Sequence, residues 1–281
     1  MAISTGKESS ASVSRTISRI LEEGSTAVLV TLVAAPTGLG IVGAKLLVDA
    51  EGDRSGGLGL DDEGALETAV AQKALEFLRG REATRMFHVS EFAPELSQWG
   101  EAKLLFERVQ SEPGIVICGA GHVGASLANL ASLMGYHTTL IDDRAEFVSR
   151  ERFPDASIEL VLAESWPEAV RVAVGNGRGI SVAIVTRGHS EDEECLRAVI
   201  DLGADYVGMI GSRRRTNIVL QRVREHGATE QQLETVHAPV GLDIGAVTPE
   251  EVALAIMAEI IAVRRGGQGG SLSVKSPKSK V

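Results

Sequence analysis

Several short stretches of this chain carry residue types that can hold an anion or move a proton. The first is Gly119-Ala-Gly121-His122-Val123-Gly124, a GxGxxG that follows an apolar run and opens a helical pattern. In such a turn the first glycine permits the tight bend, the second lets a pyrophosphate approach the backbone, and the third lets helix and strand pack closely. The amides and dipole at the helix start then meet the anion. About 20 residues on, a second apolar run ends in Asp142-Asp143-Arg144, where a ribose-binding carboxylate is expected. The competing reading is a glycine turn kept only for close packing.

A second stretch, Gly211-Ser212-Arg213-Arg214-Arg215, places three guanidinium groups in a first helical turn capped by Ser212. Cations are disfavoured at that end of a helix, and a bound anion would resolve the conflict, since Arg suits bidentate phosphate contacts. Alternatively the arginines pair with carboxylates elsewhere. The third, Thr186-Arg187-Gly188-His189-Ser190-Glu191-Asp192, offers a hydroxyl, a cation, an imidazole and carboxylates. These could contact a ligand or do acid/base work. In the plainer reading Ser190 caps the next helix, with Glu193 at its third position. A fourth segment, His237-Ala-Pro239-Val-Gly241-Leu-Asp243-Ile-Gly245, demands a specific loop path. It either closes over a ligand or joins a strand to the last helix. Cys118 reads as core packing; Cys195 lies near the same edge as either packing or a reactive thiol. No Ser/His/Asp triad or metal-ligand spacing stands out.

The elements that position these loops follow from hydrophobic patterning. Strands are expected at Ile115–Cys118, Thr138–Ile141, Leu160–Leu162, Ser181–Val185 and Tyr206–Ile210. Helices are expected at His122–Met134, Trp166–Val174, Asp192–Leu202, Arg213–His226 and Pro249–Arg264, the last opened by a Thr248-Pro249-Glu250-Glu251 capping box. Strands alternating with helices imply right-handed βαβ units and a parallel sheet, so the loops leave one common edge, where such folds bind ligands. Upstream, a helix over Ser14–Glu23, strands Ala27–Ala35, Ala44–Val48, Arg85–Val89 and Lys103–Val109, a turn-rich Glu51–Gly59 and a helix Gly64–Leu78 make a small α+β unit. The reading is thus an α/β chain: a polar, disordered 1–12, an N-terminal α+β domain over 13–110, a Rossmann-like parallel-sheet domain over 114–265, and a disordered tail over 266–281.

Composition narrows the function classes. A formal net charge of −10 argues against broad binding to nucleic acid or anionic membrane. There is no signal-peptide pattern and no apolar run long enough to span a bilayer, so the cytoplasm is the expected location. Two cysteines make no disulfide framework.

In order, GAGHVG, TRGHSEDEECL, YVGMIGSRRR and HAPVGLDIGAVTPEEVALAIMAEI resemble the XdhC/CoxI family, over about 150 residues of the C-terminal half. The N-terminal half resembles it more loosely, through AVLVTLVAAPTGLGIVGAKLLVDAEG and then Glu67. The resemblance implies an accessory protein for molybdenum hydroxylases such as xanthine or carbon monoxide dehydrogenase. It would be a cofactor-insertion chaperone rather than an enzyme, binding molybdopterin, in the cytosine dinucleotide form or another. Its implied partners are the apo-hydroxylase, a cysteine desulfurase and a second copy in a homodimer. The cofactor would sit on Gly119, Gly121, His122, Val123, Gly124, Asp142, Asp143, Arg144, Thr186, Arg187, His189, Gly211, Ser212, Arg213, Arg214, Arg215, Pro239 and Gly241. Two family features differ. Where members carry a GGGxxE pattern this chain reads Gly59-Leu-Asp61-Asp62-Glu63-Gly64-Ala-Leu-Glu67, and where they carry Cys-Gly-Gly it has Gln98-Trp99-Gly100-Glu101. The cysteine that could touch sulfur or molybdenum is thus missing, a pattern in keeping with the branch that accompanies carbon monoxide dehydrogenase. Two other classes stay open: an NAD(P)- or flavin-dependent oxidoreductase using His122, His189 or His237, and a scaffold working by protein contact alone.

Overall fold

The computed structural model describes residues 4–59, 64–80 and 82–273. Asp61, Asp62 and Glu63, singled out above, lie outside them, as does the end of the tail; residues 267–273 form no regular element. The chain divides into two units, Met1–Ser111 and Glu112–Val281.

In the first unit, helix α1 (Ser4–Glu22) precedes strands β1 (Thr26–Ala34), β2 (Lys45–Asp49) and β3 (Arg54–Gly57), helix α2 (Ala65–Arg79), then β4 (Thr84–His88) and β5 (Lys103–Gln110). The sheet order is β3-β2-β1-β5-β4, with the paired strands antiparallel. Alternation along β1 sends Val28, Val30 and Leu32 into the core that α2 covers with Leu66, Val70, Ala74 and Phe77. Ala27 faces the other way, onto Val13 and Ile20 of α1. That packing explains why α1 is helical from Ser4, where the sequence suggests a polar, disordered stretch through residue 12. The anchored turns at Val13, Ile17 and Ile20 nucleate the helix, and extending it backwards adds one hydrogen bond per residue fixed.

In the second unit β6 (Gly114–Cys118), α3 (His122–Leu133), β7 (His137–Asp142), β8 (Ile158–Leu162), α4 (Trp166–Val174), β9 (Ile180–Ile184), α5 (His189–Val199), β10 (Tyr206–Met209), α6 (Arg213–Glu225), α7 (Glu230–Glu234), β11 (Val236–His237) and α8 (Pro249–Arg265) follow in order. All six strands are parallel, in the order β11-β10-β9-β6-β7-β8. This is the expected parallel-sheet domain, extended by the two-residue β11. Every residue of β6 is buried, as a central parallel strand requires. Helices α3 and α8 cover one face through Leu127, Ala131, Ile256 and Ile260. Helices α4, α5 and α6 cover the other through Val170, Leu196 and Val219.

The chain builds β6, β7 and β8 towards one side and then returns to lay β9, β10 and β11 on the other. The strand order therefore reverses between β6 and β9. In doubly wound sheets the crevice at such a reversal, outside the carboxyl ends of the strands, is where ligands bind. α8 begins with the expected capping box: Thr248 accepts from the Glu251 amide at 3.3 Å, and the Glu251 carboxylate accepts from the Thr248 amide at 3.0 Å.

Candidate functional site

Five loops leave the carboxyl edge of the parallel sheet, and main-chain bonds stitch them together. The Gly119 amide donates to Ile141, Val185 to Cys118, Ile210 to Ile184, and Val240 to Met209, each at 2.7–3.0 Å. The glycine turn, the Asp142–Arg144 turn, the Thr186–Gly188 turn, the Gly211–Ser212 turn and the Pro239–Gly241 loop therefore form one continuous rim. The glycine and arginine turns share a side of this unit.

At the reversal the three glycines of the turn play different parts. Gly119 has φ +111°, and a Cβ there would lie 2.6 Å from the Val185 carbonyl oxygen. A Cβ on Gly124 would overlap the Gly119 carbonyl. Both are required by the fold. Gly121 has φ −65°, which any residue adopts, and a Cβ there would meet nothing within 4 Å. Beside that open space α3 begins with no side-chain cap, so among the described residues the amides of His122, Val123 and Gly124 have no capping side chain. The next helix on this rim, α5, also starts without a side-chain cap, behind Gly188. It begins at His189, three residues earlier than its sequence pattern suggests. Ser190 consequently lies inside the helix rather than capping it, and its hydroxyl faces Glu194 at 3.5 Å.

Asp142 ends β7 and is 1 % exposed. Its Oδ2 accepts from the Ala120 amide at 2.7 Å and from Arg144 Nη2 at 3.0 Å; its Oδ1 accepts from the Arg144 amide at 3.1 Å and Arg144 Nε at 2.8 Å. Burial works to raise this carboxyl, but the Arg144 and Ala120 hydrogen bonds outweigh it and hold Asp142 below the usual carboxylate range. A carboxylate offers about four acceptor sites, and four donors fill them here. The ribose-binding role suggested by its spacing is therefore replaced by a structural one, pinning the glycine turn. Asp143 is more open and pairs with Arg187 at 2.9 Å, while Arg187 also reaches Glu191 at 3.5 Å.

The three arginines divide. Arg215 turns inward, with Nε at 3.0 Å and Nη2 at 2.5 Å from Asp192 Oδ2 and Nη2 at 3.5 Å from the Thr186 carbonyl. Thr186 donates its hydroxyl to Asp192 Oδ1 at 2.5 Å. The Asp192 side chain is wholly buried, and burial pushes its carboxyl up against the pull of Thr186 and Arg215. For Arg215 the intramolecular pairing prevails over the anion reading, and Thr186 is likewise committed inside the protein. Arg213 and Arg214 are exposed, and among the described residues their guanidinium groups form no ion pair. Ser212 does cap α6, accepting from the Arg215 amide at 3.3 Å. His122 and His189 are not buried and stand at the first positions of their helices.

The Pro239–Gly241 loop is clasped from behind. Glu259 of α8 accepts from the Tyr206 hydroxyl at 2.5 Å and the Gly241 amide at 2.9 Å through Oε2, and Oε1 lies 3.5 Å from His237 Nδ1. Tyr206 and His237 stack at 4.6 Å. Glu259 is the residue that sequence reasoning overlooked as an organiser; it sits within α8, and its only sequence signal is a carboxylate in an otherwise apolar stretch. Asp192, marked by the sequence as a possible ligand contact, is instead an internal organiser. Cys195 is fully buried, and burial, with Cys118 beside it, pushes its thiol well up, so of its two readings packing holds. Trp99, where the resemblance implies a Cys-Gly-Gly, is buried. Among the described residues no His, Cys, Asp and Glu side chains gather to hold a metal ion, and no helix is long and apolar enough to cross a membrane.

Comparison with known proteins places this arrangement in a group. Residues 115–260 match the XdhC Rossmann domain, and residues 20–90 match the XdhC and CoxI family. The chain is 34 % identical over 241 residues to the uncharacterized protein YqeB of Escherichia coli (strain K12), covering 84 % of this chain and 43 % of that protein. It is 28 % identical over 162 residues to a probable xanthine dehydrogenase subunit of Bacillus subtilis (strain 168), covering 58 % and 46 %. The chain thus spans less than half the length of these curated relatives. A crystal structure described as a xanthine dehydrogenase from Bacillus halodurans shares the fold, with a TM-score of 0.50 at 19 % identity over 92 % of this chain and 97 % of that one. By the match of residues 115–260, half its length, to the XdhC Rossmann domain, the chain belongs to the XdhC family.

Proposed function

We propose that the chain is a maturation factor for a molybdenum hydroxylase: it holds the phosphate-bearing molybdenum cofactor at the rim and assists its insertion into the apo-enzyme. The observation that carries this reading is Gly121. Its backbone tolerates any residue and its missing Cβ faces open space, beside the uncapped start of α3. Packing gives no reason for a glycine there; an anion seated on the helix amides does.

The donors present suit the phosphate end of such a cofactor. The amides of His122, Val123 and Gly124 would receive one phosphate oxygen set, and Arg213 and Arg214 would add charge-assisted contacts. A molybdopterin in its mono- or dinucleotide form would supply the molybdenum chemistry for the target enzyme. The role of this chain is to bind, orient and release. Both cysteines are buried and offer the ligand no thiol, so sulfuration would come from a partner such as a cysteine desulfurase acting on the held cofactor. The family relation and the likeness to a probable xanthine dehydrogenase subunit support a molybdenum hydroxylase as client. A homodimer and a cytoplasmic setting belong to the same proposal.

The dinucleotide-dependent oxidoreductase reading is weakened by Asp142, whose acceptor sites are filled before a ribose arrives. Mass spectrometry of small molecules that co-purify with the full chain under gentle anaerobic conditions decides between the two. A molybdopterin species supports the maturation role; NAD(P) or flavin in stoichiometric amount overturns it.

A further inference from the structure

Next to the glycine turn stands an arginine–aromatic cluster that the anion reading does not use. Arg144 follows β7 by two residues, and its guanidinium lies with its central carbon 3.5 Å from the centroid of the Phe147 ring. Arg152 reaches the same ring at 4.6 Å. Two N–H groups of Arg144 are spent side-on upon Asp142, at 2.8 and 3.0 Å. A guanidinium bound in this way is coplanar with its carboxylate and locked in orientation. Its charge is also largely balanced by the carboxylate, so a phosphate gains less here than at Arg213 or Arg214. The Arg144 side chain nevertheless remains 26 % exposed.

A locked, charge-balanced guanidinium backed by an aromatic ring is a stacking surface. We propose that Arg144, supported by Phe147, is the seat of a planar nitrogen heterocycle carried by the same phosphate-bearing ligand, the ring lying on the guanidinium face away from Phe147. This deepens the proposed function and rests on it. Arg144 then recognises the ring and not the phosphate. The link to the anion cradle is a single carboxylate, since the Asp142 oxygen that takes Arg144 Nη2 also takes the Ala120 amide of the glycine turn. Ring and phosphate sites are fixed relative to each other by that one side chain. The ring could be the base of a nucleotide or a pterin; both have the π-face that stacking requires.

Calorimetric titration of the full chain separates these sources and tests the stacking. The probes are pyrophosphate against cytidine 5′-diphosphate, and inorganic phosphate against neopterin monophosphate. In the wild type, at least one ring-bearing probe binds about tenfold more tightly than its ring-free counterpart, the size expected of one stacked ring. An advantage for cytidine 5′-diphosphate identifies a base, and one for neopterin monophosphate a pterin. Arg144→Lys keeps a cation against Asp142 but removes the plane, and abolishes that advantage with pyrophosphate affinity unchanged. Phe147→Leu leaves the turn untouched and reduces the advantage several-fold. If pyrophosphate binds but neither ring improves on its counterpart, or if Arg144→Lys lowers ring-bearing and ring-free probes equally, the stacking proposal is overturned. If the wild type binds neither phosphate nor pyrophosphate, the anion reading beneath it falls as well.

Discussion

Alanine in place of each glycine of the turn distinguishes packing from ligand binding, because the structure assigns the three positions different surroundings. At Gly121 the backbone angle is ordinary and a methyl group meets no atom within 4 Å. Gly121→Ala should therefore leave stability unchanged or raise it by about 0.4–1 kcal/mol, by restricting the unfolded chain. At Gly124 a methyl group overlaps the Gly119 carbonyl, so α3 must move off the sheet. Overpacking of that kind costs about 1–3 kcal/mol or more. Gly119→Ala combines a left-handed backbone with a Cβ 2.6 Å from the Val185 oxygen and should be at least as costly. Urea unfolding of the full chain followed by circular dichroism measures the order, and calorimetry with pyrophosphate measures the consequence. Gly121→Ala should keep or raise its urea midpoint and lose about tenfold or more in affinity, about 1.4 kcal/mol. A Gly121→Ala protein as destabilised as Gly124→Ala, or one that binds pyrophosphate like the wild type, would show that Gly121 is not kept for an anion.

The arginines should separate in the same two assays. Arg215→Ala leaves Asp192 buried without its cation and should cost about 3–5 kcal/mol in stability. Arg213→Ala and Arg214→Ala should stay within about 0.5 kcal/mol of the wild type in stability and lose anion affinity, by up to about 1.5–3 kcal/mol each. Acid sensitivity should trace to Asp142. Because its carboxyl is held below the usual range when folded, its contribution is present above about pH 4, the unfolded value, and is lost as pH falls through the folded value. Asp142→Asn should flatten stability against pH in that acid window, and an unchanged slope would argue against the pairing. At the clasp, Tyr206→Phe removes the donor at 2.5 Å from Glu259. Hydrogen exchange at the Gly241 amide, which shares that oxygen, should then quicken, while exchange in β6 should not.

Periodicity carried the parallel-sheet unit, because its strands are short apolar runs and its helices are long and amphipathic; the five expected strands and five expected helices of that unit are present with shifts of a few residues. What escaped the pattern has particular causes. β3 reads Arg-Ser-Gly-Gly, a polar strand at the sheet edge where burial imposes no alternation. β11 is two residues long and exists because β10 offers it a partner. α7 was legible in principle: Thr229 and Gln232 form a capping box, but the five-residue helix has too few turns to show a period.

Topology from the βαβ pattern rightly gathered the candidate loops on one edge. Residue types could not tell a free group from a committed one. Arg213, Arg214 and Arg215 are identical in sequence terms, yet only Arg215 meets a buried carboxylate, because Asp192 sits 23 positions earlier on a neighbouring helix. Asp142 occupies the ribose position by spacing, and its acceptors are consumed by Arg144, two residues away. Such commitments depend on side-chain directions that only the packed structure fixes.

The amide signals of His122, Val123 and Gly124, followed by nitrogen–proton correlation spectra of the full chain during pyrophosphate titration, report whether an anion seats at the start of α3. These three amides should shift together and saturably, with the Arg213 and Arg214 side-chain signals moving alongside them. Saturable shifts confined to residues away from the carboxyl edge of the parallel sheet, or no shifts at all, would contradict that seating.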